Sequence, residues 1–394
     1  MDLGSSSVLL LQGHAEDSGP LSLQHAAIRA IALALFRANV RWRLLSEVTR
    51  SLKEWLADVD LPVKVKRLIY AGLRETFREV QRWGEKHMHM FPDDAARFTK
   101  NNVRRVHRGE HLRMFYDCIV WKANKYHIDD YATARKIALE ECHNWPVMQF
   151  QFAAVYAMID LLEQDTRFDK IRLRTFRKQI GDHCVYDFWI RVLEDREQWE
   201  KLFRPDGLSP HQLVSLVFQF AIVNGYFELM SFLWDRISSQ QQEYIGFLNW
   251  KKVCFNAEHR EVIRFLCTRL CSLNSVGLAR ITWTSFYDKV YHTLEDDSGN
   301  NVLKTESIRK LKCLLDNWCT SLRSAMLSKE NFRAFTDSFV NNQPETFAMF
   351  LEYLDKNQLS SAREFVDRFY DKRKTSEEAK SLRQMVIRRQ QTVD

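Results

Sequence analysis

The chain has 394 residues, 45% of them hydrophobic and 28% charged, with 26 Phe and 11 Trp. That much apolar and aromatic material excludes an intrinsically disordered chain and supplies a sizeable core. The net charge of +7, from 58 Lys+Arg against 51 Asp+Glu, permits an acidic partner but lacks the strong basic bias of a dedicated nucleic-acid binder.

Only 12 Gly and 7 Pro interrupt the chain. Turn formers this sparse leave little room for hairpins or βα loops, so the composition predicts an all-α fold. The eight cysteines, at 118, 142, 184, 254, 267, 271, 313 and 319, contain no CxxC pair. They read as buried free thiols of a reducing compartment, which places the protein in the cytoplasm or the nucleus.

Residues 1–20 read as a flexible tail; Glu16 and Asp17 and the lack of a basic start argue against a secretory signal. Ile28, Ile31, Ala32, Leu35 and Phe36 share one helix face. The apolar run Ala26–Phe36 is too short for a membrane span and carries Arg29, and no other stretch reads as one. A second helix runs through Trp42, Leu45, Val48, Leu52 and Trp55 and stops before Pro62. A third carries Leu68, Leu73, Phe77 and Val80 and ends at Gly84. Phe91-Pro92-Asp93-Asp94 reads as a turn and cap. Tyr131–Cys142 and Val147–Leu162 form a helical pair broken at Asn144-Trp145-Pro146, where proline forbids continuation. Pro205-Asp206-Gly207 marks a boundary between an N-terminal helical domain, 21–204, and a second domain, 205–372. A last amphipathic helix over 359–372 carries Phe365, Val366 and Phe369, and 373–394 reads as a charged C-terminal tail.

The second domain contains an echo. The segment from Asn224 to Leu233, NGYFELMSFL, returns as Ala257 to Leu266, AEHREVIRFL, with Glu228 and Glu261 in register. Looser copies follow at Lys310–Leu315 and Asn341–Leu351. Apolar runs precede several of them, at Leu213–Val223, Trp250–Asn256 and Phe332–Val340. A helix, a tight polar turn and a second helix in repetition predict a stacked array. Here NGYFELMSFL resembles the second half of an ankyrin repeat, in which Asn-Gly opens the turn and an acidic-apolar-apolar run starts the packing face. The resemblance covers residues 210–355 and is divergent, Ser209-Pro210-His211 being the nearest approach to the family's Thr-Pro-Leu-His. It implies a helical-hairpin solenoid whose outer wall binds other proteins.

Chemistry-bearing patterns are few. His87, His89, His107 and His111 match no standard zinc spacing and read as solvated or packed histidines. Cys267 and Cys271, one helical turn apart, read as core thiols. Neither Cys142-His143 nor His183-Cys184 makes a nucleophile–base pair, because neighbouring side chains diverge. Asp129-Asp130 and Glu295-Asp296-Asp297 read as solvated helix caps. There is no phosphate loop, nucleophile elbow or kinase signature. Two basic stretches remain as a candidate binding patch: Arg97, Lys100, Arg104, Arg105 and Arg108, then Arg172, Arg174, Arg177 and Lys178.

The sequence therefore predicts an all-α protein in which an N-terminal helical block precedes an ankyrin-like helical-hairpin repeat array. It predicts a non-enzymatic interaction scaffold or adaptor with no cofactor, no metal and no catalytic residue, whose partner is another protein. A basic helical-repeat nucleic-acid binder is the first alternative, and a hydrolase built on a dispersed Cys–His pair the second.

Overall fold

The computed structural model describes residues 22–90, 108–123, 125–163, 168–180, 183–195, 212–256, 258–294, 301–373 and 376–393. These residues are almost wholly helical; the nearest thing to a sheet is one bridge between Trp121 and Ile128. The chain divides into two compact units, residues 1–182 and 183–394. That division falls ahead of Pro205-Asp206-Gly207, which lies outside the described residues.

In the first unit, α1 (Leu23–Val40), α2 (Leu45–Asp58) and α3 (Val63–His87) pack on one another. Ile28 and Ala32 of α1, Val48, Leu52 and Leu56 of α2, and Ile69 and Leu73 of α3 form their shared core. Each set recurs at three or four residues, the spacing that puts apolar side chains on one helix face. Two boundaries differ from the sequence pattern. Trp42 sits in the α1–α2 link with a left-handed backbone (φ 60) instead of in α2. Gly84 lies inside α3, which runs on to His87 because Trp83 and His87 are themselves core positions.

A 3-10 segment, Arg108–Cys118, leads to α4 (Asp130–Lys136), which relaxes through a π-turn over Ile137–Glu141 and a 3-10 turn over Cys142–Asn144. α5 (Pro146–Val155) starts on its proline, where the missing N–H costs nothing, and the short α6 (Ile159–Leu162) follows. α7 (Lys170–Ile180) closes the unit. Phe150 meets Phe168 at 5.6 Å and Phe176 at 5.4 Å between ring centroids.

The second unit is a succession of helices, several of which pack on helices one or two places away in sequence. These are α8 (Cys184–Glu194), α9 (Leu213–Val223), α10 (Phe227–Trp234), α11 (Ser239–Asn256), α12 (Arg260–Leu294), α13 (Asn301–Asn317), α14 (Thr320–Val340), α15 (Pro344–Tyr353), α16 (Lys356–Arg373) and α17 (Glu377–Val393). α9 packs on α8, α10 and α11; α12 on α11, α13 and α14; α17 on α15 and α16. The Lys310–Leu315 copy of the sequence echo falls in the interior of α13, so it marks no turn. Residues 377–393, expected as a charged tail, form α17 and bury Leu382 and Val386. The stripe is narrow enough to escape a reading by composition.

Two helices are broken. In α12, Asn274 leaves the helical region (φ −157, ψ 83), and its Oδ1 accepts the Gly277 N–H at 2.9 Å, recapping the second half. In α14, Glu330, Asn331 and Phe332 are successively left-handed, which costs each L-residue about 1–2 kcal/mol. Among the described residues α12 is also the one helix long and apolar enough to cross a membrane, judged by length and composition. Within the fold, Val262, Ile263, Leu266, Cys267 and Leu270 of α12 are buried, and α12 packs on α11, α13 and α14.

Candidate functional site

Among the described residues one turn is built three times. In each, a helix ends with a residue of left-handed backbone: Ala157 (φ 47), Gly225 (φ 70) and Asn342 (φ 51). In each, the next residue's N–H reaches back five positions. Met158 donates to Ala153 O at 2.9 Å, Tyr226 to Ala221 O at 2.8 Å and Gln343 to Ser338 O at 2.9 Å. The left-handed residue itself donates three positions back, to Ala154, Ile222 and Phe339. This pair of bonds satisfies carbonyls that a helix end would leave orphaned. Met158, Tyr226 and Gln343 are all buried, and each caps the helix that follows. Asp160, Glu228 and Glu345 then occupy the same place in the first turn of that helix, where a carboxylate meets the amide end.

The echoed copy meets the first across space. His259, 33 positions after Tyr226 in sequence, lies over Gly225, and a Cβ on Gly225 would stand 2.3 Å from His259 Nδ1. The His259 Nε2–H donates to Val223 O at 3.0 Å, which fixes the tautomer, since a carbonyl only accepts. The turn at Gly225 and the segment at His259 are thus held together at a glycine where any larger residue must displace the His259 ring.

α11 lies beside this staple. Gln241, Ile245, Gly246, Asn249, Trp250, Val253 and Cys254 face the interior. The opposite side carries Tyr244, Leu248 and Phe255, exposed by 41%, 47% and 56%, with Lys251 between them. At 100° per residue these four fall within one narrow stripe. Phe255 is backed from beneath by Lys289, whose Nζ lies 4.6 Å from the ring centroid although only 4% of that lysine is exposed. Burial lowers the Lys289 ammonium from its ordinary value.

The sequence-predicted basic patch is placed only in part. Arg97, Lys100, Arg104 and Arg105 lie outside the described residues, and Arg108 opens the 3-10 segment with its side chain undescribed. Arg172, Arg174, Arg177 and Lys178 are exposed on α7, whose Leu173 and Phe176 point inward. Arg172 also approaches Asp169, at 4.0 Å.

The histidine cluster does not assemble. His107 is outside the described residues, and nothing is described of the His111 side chain. His87 is fully buried, with Nδ1 at 2.7 Å from Trp83 O and Nε2 accepting from the Tyr156 hydroxyl at 2.7 Å. Burial pushes it down to about 3, so it is a neutral core residue. His89 Nδ1 bonds Lys86 O instead.

Asp129 caps α4 through Ala132 N–H as expected, but Asp130, with 19% of its side chain exposed, is ion-paired instead of freely solvated. It accepts from Arg82 at 2.6 Å and 3.2 Å and from Lys86 at 2.7 Å. Burial would raise its carboxyl, and the Lys86 and Arg82 charges outweigh burial and hold it far below the usual range. Glu79 completes the network, accepting from Arg82 at 2.8 Å and from Ile128 N–H at 2.9 Å. Arg82 and Lys86 of α3 thereby tie to Asp130 at the start of α4, a brace between the two helices.

The thiols give a feature the sequence hid. Cys267 on α12 has its Sγ 3.4 Å from Cys319 Sγ, just before α14. The Ser321 hydroxyl lies 3.3 Å from Cys319 Sγ and 3.2 Å from Cys271 Sγ. Among the described residues no three His, Cys, Asp or Glu side chains are set to hold a metal ion.

No family model, no curated protein and no solved structure matches this chain.

Proposed function

We propose that the protein is a non-enzymatic interaction scaffold, a divergent ankyrin-like hairpin array that holds a partner protein against the outer face of α11. The observation that carries this reading is the Tyr244–Leu248–Phe255 stripe. A helix that already buries one apolar face has no folding use for a second, and exposed apolar stripes rimmed by charge are where proteins dock. The repeated turn and the His259–Gly225 staple support a stacked array, which presents a wall to its partner. Lys251 and Lys252 on the same side favour a partner helix or strand that is apolar with acidic flanks.

The test is affinity capture from source cells with the wild-type chain and with Tyr244→Ser, Leu248→Ser and Phe255→Ser combined. These positions are exposed, so the fold is expected to survive, which circular dichroism checks. The reading expects a set of captured proteins to disappear, and Phe255→Ala alone to weaken the purified complex about ten-fold, the size of one interface anchor. An unchanged captured set refutes it.

A second reading rests on α7, where Arg174, Arg177 and Lys178 lie three and four positions apart and are exposed. Basic side chains spaced in this way suit a phosphate backbone. This reading requires nucleic-acid affinity that collapses with added salt, and salt-insensitive binding rejects it.

A further inference from the structure

We propose that Cys319 and Cys267 form a peroxide-oxidisable pair that closes to a disulfide between α12 and α14. The two sulfurs are 3.4 Å apart, and the Cys319 N–H also donates to Cys267 Sγ at 3.2 Å, so the two residues are already docked. A disulfide needs about 2.0 Å, a closure within reach of side-chain rotation at a residue outside the helix. Cys319 is such a residue, standing immediately before Thr320.

The two thiols have different exposures, and that sets their roles. Cys267 is fully buried, whereas Cys319 is half-buried and reaches solvent beside Ser321. Burial would raise the Cys319 thiol, but hydrogen bonds from Ser321, the Leu322 backbone N–H, Cys271 and Cys267 outweigh it and hold the thiol below its usual value. The other cysteines with a resolved direction move the opposite way. Burial pushes Cys118 and Cys142 up to about 12 and raises Cys184, Cys254, Cys267 and Cys271. Since the thiolate is the reacting form, a hydroperoxide meets Cys319 first.

The Cys319 thiolate attacks the nearer peroxide oxygen, the O–O bond breaks, and the leaving hydroxide or alkoxide takes up a proton. Cys319 is then a sulfenic acid, its sulfur having lost two electrons to the peroxide. Cys267 attacks that sulfur; the S–S bond forms, the S–O bond breaks, and hydroxide departs with the Cys267 proton as water. Two thiols and one hydroperoxide become one disulfide, one water and one further water or alcohol. A dithiol reductant returns the electrons by exchange. The product staples two positions 52 residues apart in sequence and so fixes the α12–α14 contact in the middle of the array.

The experiment uses the fully reduced, full-length chain and one equivalent of hydrogen peroxide. The wild type is expected to lose two of its eight free thiols and two hydrogens of mass, with the peptides containing Cys267 and Cys319 linked and the change reversed by dithiothreitol. Cys319→Ser abolishes the loss, and Cys271→Ser retains it. Cys267→Ala halts at a Cys319 sulfenic acid that dimedone traps, a readout independent of how well that core variant packs. The proposal is overturned by any of four outcomes: retention of all eight thiols by folded wild type, a Cys271–Cys319 link, earlier dimedone labelling elsewhere, or a stoichiometric zinc ion that shields the three cysteines.

Discussion

Replacing Gly225 with alanine tests the contact between the Gly225 turn and His259. Two costs follow from the geometry. An alanine at φ +70 pays the left-handed penalty of about 1–2 kcal/mol. Its Cβ would also stand 2.3 Å from His259 Nδ1 and 2.6 Å from His259 Cγ, so the ring must leave. With the ring goes the Nε2–H bond to Val223 O, a loss of about 0.5–1.5 kcal/mol. Together these predict destabilisation of about 1.5–3.5 kcal/mol, read as a lower urea midpoint at unchanged slope. His259→Ala separates the two parts. In that background only the backbone term of about 1–2 kcal/mol remains, so the double variant is more stable than the sum of the singles predicts. Equal costs of Gly225→Ala in both backgrounds would show that the contact is not made and refute the reasoning. The matching turn at Ala157 gives the opposite sign. Ala157→Gly relieves the same penalty and, after the entropy of glycine, gains about 0.5–1 kcal/mol.

Two further outcomes follow from burial. His87 titrates at about 3 instead of 6.5, so below about pH 6.5 the unfolded chain takes up the proton first; the stability it confers, complete above that pH, drains away as pH falls towards 3. Asp130, depressed by its two cations, adds acid sensitivity of the same sign, and a urea midpoint of the first unit that stays flat between about pH 7 and about pH 4 would contradict this. Leu382→Ala is expected to cost about 2–4 kcal/mol by leaving a cavity under α17, whereas a loose tail would lose nothing.

Much of the helical framework is legible because a single packed face imposes its period on the sequence. Leu213–Val223 is found with the same bounds as its apolar run, and the Asn-Gly that follows is visible because glycine is the residue a left-handed cap prefers. Ala157 makes the same turn without that mark. Its conformation is imposed by the burial of Met158 and by carbonyls that must be satisfied, and neither leaves a residue type behind. The reverse error occurs at Lys310–Leu315, where an apolar rhythm without a turn former is simply the inside of α13. Asp130 shows the limit of the capping rule: Asp129 is the cap, and its neighbour is drawn inward by Arg82 and Lys86 from a helix some forty residues earlier. Cys267 and Cys271 are visible as a pair one turn apart. Cys319 comes to them only through the α12–α14 packing, and no period connects 267 with 319.

The exposed apolar stripe on α11 was hidden in the sequence by the apolar face opposite it. A surface helix is recognised by contrast, one side apolar and the other polar. α11 buries Ile245, Trp250 and Val253 on one side and presents Tyr244, Leu248 and Phe255 on the other, so the contrast cancels and the segment reads as merely mixed. Folding accounts for the first set alone. The second is unsatisfied by anything within the described second unit, and an apolar side chain left in water gains about 1.5–3 kcal/mol once a partner covers it. A chain that buried both faces would need no partner, and one that exposed neither would offer no grip. α11 is therefore the helix on which the scaffold reading stands or falls.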